Sequence, residues 1–93
     1  MSTKAERRAA REKVATYHKE QLGQLVEHLA TAIDGYRASE IDAFDVDEVT
    51  FQYSRAAKEL WKFCNLIDVE IAARTIGDDP PTEWWERGAR RRR

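Results

Sequence analysis

Apolar residues recur at intervals of three and four through two long stretches of the chain, the spacing of helices that each bury one face. In the first stretch the series is Val14, His18 (half-polar), Leu22, Val26, Leu29, Ile33 and Tyr36, with Ala15, Leu25 and Ala32 alongside. Thr3 followed by Glu6 makes a capping-box pattern ahead of it, so a helix is expected over about 3–37. In the second stretch the series is Val49, Tyr53, Ala56, Leu60, Phe63 and Ile67, then Ile71 after a slip of one residue. Asp45 and Glu48 have cap spacing, Phe44 and Val49 stand at the two staple positions, and Gly77, Pro80 and Pro81 mark the end. A second helix is expected over about 46–76.

Two helices of similar length joined by a short connection around 38–44 predict an all-α fold, a long antiparallel hairpin with Ile41 and Phe44 plugging the loop end. Residues 1–77 would form the hairpin domain and 78–93 an irregular tail rich in Pro, Trp and Arg. At about 100° per residue the apolar arc of the second helix is wider than one neighbour covers, because Ala57, Trp61 and Cys64 extend the stripe on one side. Two helices alone enclose little core. A homodimer forming a four-helix bundle is the expected remedy. The competing arrangement is a monomer in which Trp84 and Trp85 return to cover Trp61.

Composition narrows the class. A chain of 93 residues, 42% hydrophobic and 35% charged with only four glycines and two prolines, suits one small helical domain and excludes collagen-like and low-complexity classes. No apolar run has the length of a membrane span and no segment reads as a signal peptide. A lone cysteine, Cys64, suits a reducing compartment, so a cytoplasmic location is expected. The net charge of −1 hides zones: six basic and three acidic residues in 1–20, one and seven in 21–50, five and two in 80–93. A hairpin would gather Lys4, Arg7, Arg8, Arg11 and Lys13 with Arg87 and Arg90–Arg93 at one pole. Glu40, Asp42, Asp45, Asp47 and Glu48 would stand at the other.

Few constellations suggest chemistry. His18 and His28 lie about 15 Å apart along one helix and cannot share a metal, and the acidic run from Asp42 to Glu48 lacks the turn glycine of a calcium loop and has Tyr53 where its bidentate Glu would stand. Neither a metal-ligand motif nor a phosphate-cradling glycine loop is present, and no cofactor is expected. Arg11 and His18, six residues between them, form a spacing that resembles the Arg-x4–6-His element of HEPN-type ribonucleases, which implies RNA cleavage as a third reading. The first reading is a non-enzymatic protein–protein interaction module, such as a small regulator, adaptor or antitoxin-like protein. Its self-association or partner surface would be Tyr53, Ala57, Leu60, Trp61, Phe63, Cys64, Ile67, Trp84 and Trp85. The second reading is non-specific binding of nucleic-acid phosphate, or of an acidic partner, through Arg7, Arg8, Arg11, Lys13, Arg87, Arg90, Arg91, Arg92 and Arg93.

Overall fold

The computed structural model describes residues 3–90, and these are all helix, turn or loop. Helix α1 spans Lys4–Arg37, as its periodicity predicts. Thr3 caps it, its hydroxyl oxygen accepting from the Glu6 amide at 3.1 Å. The chain leaves the helix through Ser39, held at a left-handed φ of 61°, while the Glu40 amide returns to the Gly35 carbonyl. Ile41 then packs on the open side of Gly35, closing the loop end. Phe44 does not join it. That side chain is one of the most exposed in the molecule.

The expected single second helix is two helices. Helix α2 runs Ala43–Asn65 and α3 runs Val69–Asp78, with a break at Leu66–Asp68. The break has a local cause: Asp68 turns its carboxylate onto the Glu70 and Ile71 amides, at 2.9 and 3.2 Å, and so starts a new helix. The one-residue slip between Ile67 and Ile71 marks this re-phasing. At the other end the cap is Asp42 rather than Asp45. Asp42 and Asp45 exchange side-chain to backbone hydrogen bonds at 3.0 Å, a reciprocal box that starts the helix three residues earlier than expected. Gly77 lies within α3, and Asp79 is its C-cap.

The tail is part of the fold. After α3 the chain turns through Pro80 and Pro81 and runs back along the α1–α2 seam, where Trp84–Arg87 form the single turn α4. Glu83 ahead of it has a left-handed φ of 63°, a conformation a non-glycine residue holds only when its surroundings fix it. Ala10, Val14, Tyr17 and Leu25 of α1, Ala56, Leu60 and Cys64 of α2, Ala72 and Ala73 of α3, and Trp84 form one continuous core. The result is a flattened rod of 56 × 31 × 18 Å. No helix among the described residues is long and apolar enough to cross a membrane.

Candidate functional site

The tail is fastened by a buried aromatic clasp. Trp84, 4% exposed, donates its indole N–H to the Tyr17 hydroxyl at 2.8 Å, and that hydroxyl donates in turn to the Pro81 carbonyl. Phe63 packs edge-on to Tyr17 and tilted to Trp84, with ring centroids 5.8 and 5.7 Å away, so α1, α2 and α4 meet at three rings. Burial raises the Tyr17 pKa above its ordinary value, more than the Trp84 hydrogen bond lowers it. Farther along, Trp85 stacks on His28 with centroids 4.0 Å apart, and its carbonyl accepts from Gln52 at 2.9 Å. Gly88 lies against the α2 backbone, and its carbonyl accepts from Arg55 at 2.6 Å.

These contacts relocate several residues expected at an external surface. Leu60, Cys64 and Trp84 are buried in the chain's own core, and Tyr53, Ala57, Phe63 and Trp85 are half-buried. Trp61 and Ile67 are exposed. Trp84 does not cover Trp61; it reaches the opposite side of α2, because the tail enters the seam beside Tyr17. Burial also pushes the Cys64 thiol up to about 11, so at neutral pH it is protonated and chemically quiet.

The tail closes one side of the seam. On α1 it stacks Trp85 on His28, and a hollow separates it from Gln21 and Gln24. Roughly 140° around that helix lie Leu22, Val26, Leu29 and Ile33. These continue the sequence's main apolar stripe, which was expected to form the core, yet Val26 and Ile33 remain 44% and 40% exposed. The buried positions of α1 are instead Ala10, Val14, Tyr17, Leu25 and Ala32, largely the flank of that stripe. On α2, Trp61 is 50% exposed, while Tyr53 and Ala57 are half-buried against the core. The apolar stripe of the first helix is thus only partly covered, with Leu22 and Leu29 half-buried and Val26 and Ile33 exposed.

The basic residues also divide differently from expectation. Arg7, Arg8, Arg11 and Lys13 are exposed on the first turns of α1, with Lys13 beside Gly77 of α3. The tail does not bring Arg87 and Arg90 there. It runs toward the other end of the rod, and Arg90 shares a hollow with Asp47, Glu48, Phe51, Gln52 and Arg55. Arg87 lies over the Trp84 ring, 4.5 Å from its centroid. Arg55, Lys58, Arg87 and Arg90 line one cleft between α2 and the tail, together with Glu59, Glu86 and Ala89. Arg91, Arg92 and Arg93 lie outside the described residues. Arg11 is exposed and His18 half-buried, about 10 Å apart along the α1 axis.

Sequence reasoning missed Tyr17, Gln52 and Arg55, the residues that hold the tail. Their partners lie 33 to 67 positions away, and no local pattern announces them. Comparison with protein-family models, with curated proteins and with solved structures finds no match to this chain.

Proposed function

We propose that this protein is a non-enzymatic protein–protein interaction module that self-associates: two copies pack antiparallel through the uncovered α1–α2 face into a four-helix bundle. The observation that carries the reading is the partly uncovered stripe of α1, with Val26 and Ile33 exposed and Leu22 and Leu29 half-buried, together with the exposed Trp61 of α2, while the tail closes another side of the seam. Apolar faces of this kind are the material of homodimer interfaces. Charge selects a second copy as the occupant. The arc of the stripe continues toward the N-terminus through Arg11 and Arg8, whereas the loop end carries Glu40, Asp42 and Asp45. An antiparallel pair sets each basic end beside the partner's acidic end, and a parallel pair would set like against like.

Light scattering behind a sizing column gives the test. The full chain should have a mass near twice 10.8 kDa, and Val26→Glu combined with Trp61→Glu should halve it with the helical circular dichroism unchanged. Both residues are exposed in the single chain, so the double variant folds. A wild-type monomer at about 100 μM, far above the dissociation constants of ordinary homodimers, would refute self-association.

A further inference from the structure

The side of the rod away from the apolar face carries a second surface of different chemistry. Arg55, Lys58 and Lys62 recur on α2 at intervals of three and four, roughly 140° around the helix from Tyr53, Ala57 and Trp61. The returning tail sets Arg87 and Arg90 opposite Arg55 and Lys58 across one cleft. Of the two carboxylates lining it, Glu59 is already paired with Lys62 at 3.3 Å, so the cleft keeps a net positive charge. Two of its guanidinium groups are held in place. Arg55 is anchored through Nε to the Gly88 carbonyl, which leaves its remaining N–H groups to point elsewhere, and Arg87 lies over the Trp84 ring. Such pre-positioning lowers the entropy cost of gripping an oxyanion.

Where the cleft continues toward the loop end, its character changes. Phe51 is 58% exposed there, flanked by Arg55 and Arg90 on one hand and by Asp47 and Glu48 on the other. Phe44 stands one heptad earlier on the same outer face and is also exposed. A basic track leading to an exposed aromatic ring is the arrangement that holds single strands, with phosphates on the cations and a base on the ring. An acidic peptide fits less well, because its charge would continue onto Asp47 and Glu48. A base is neutral, and its exocyclic amine can donate to a carboxylate.

From this juxtaposition we infer that the cleft between α2 and the tail binds single-stranded nucleic acid, with phosphates on Arg55, Lys58, Arg87 and Arg90 and a base stacked on Phe51. The site is separate from the N-terminal cluster Arg7, Arg8 and Arg11, and it does not depend on self-association. Duplex is disfavoured because its bases are not free to reach Phe51.

Fluorescence anisotropy of a labelled single-stranded 12-mer of mixed A and C, titrated with the full chain, tests the assignment. Binding should weaken about 20-fold between 50 and 200 mM salt if three phosphates are neutralised. Lys58→Glu and Arg90→Glu should each weaken it at least tenfold, and Phe51→Ala by about 5- to 150-fold, the range for loss of one stacked base. All three side chains are exposed, so circular dichroism should match the wild type. Arg7→Glu with Arg8→Glu should leave affinity within twofold; a loss equal to that of Lys58→Glu would move binding to the N-terminal pole and refute the site. No binding at 50 mM salt refutes the inference outright. Duplex binding as tight as single strand, or a glutamate-rich peptide competing equally while Phe51→Ala has no effect, would assign the cleft to another ligand.

Discussion

At the scale of single residues, the Tyr17 hydroxyl has the most to lose. It accepts from the Trp84 indole and donates to the Pro81 carbonyl, and the buried indole N–H depends on it at the centre of the clasp. Tyr17→Phe keeps the ring and its edge contact with Phe63 but leaves a buried N–H without an acceptor, a loss of about 1–3 kcal/mol. The variant should therefore unfold at lower urea with an unchanged slope, and its thermal midpoint should fall by at least about 4 °C. A midpoint equal to that of the wild type would mean that the hydroxyl is dispensable to the tail. Tyr17 was hard to see in the sequence because the heptad series passes through Val14 and His18, one position to its side. Its importance comes from a partner 67 positions away, and periodicity carries no information at that range.

At the scale of elements, α1 and the finish of the second helical stretch were legible because they rest on local chemistry, Thr3 with Glu6 and proline after 79. The start of that stretch lies three residues earlier than expected, at the Asp42 cap. The break at Leu66–Asp68 had a signal too, the slip before Ile71, but an aspartate inside a charged helix looks like surface until its carboxylate is seen on the next amides. The course of the tail was not legible, since it depends on the close approach of α4 to the α2 backbone. Gly88 is the test of that approach. A Cβ there would lie 2.6 Å from the Ala56 nitrogen and the Gln52 carbonyl oxygen, atoms of a helix that cannot swing aside. Its φ of −84° suits any residue, so space alone requires glycine. Gly88→Ala should lift α4, break the Arg55 and Gln52 hydrogen bonds to the tail, and destabilise the protein by about 1–3 kcal/mol. Tryptophan emission should shift to the red as Trp84 meets water, while α1 and α2 keep their helicity. A stability change under about 0.5 kcal/mol, the range of an ordinary surface substitution, would mean that α4 sits farther from α2.

At the scale of the whole molecule, the tail gives the rod two unlike sides. It closes one side of the seam, while Val26, Ile33 and Trp61 remain exposed, and by carrying Arg87 and Arg90 across α2 it completes the basic cleft. Packing two copies through the apolar face would turn both clefts outward, on opposite sides of the bundle. A strand long enough to pass from one cleft to the other would then be held twice, the second contact being intramolecular. A short strand would be held once. The 12-mer should consequently bind the wild type and the Val26→Glu, Trp61→Glu double variant with equal affinity, whereas a strand of about 60 nucleotides should bind the wild type at least tenfold more tightly. The same comparison with Lys58→Glu should lower binding of both strands, because that change acts on the cleft and leaves the apolar face intact. If the long strand gains nothing over the short one in the wild type, the two clefts do not act on one ligand, and the bundle serves self-association alone.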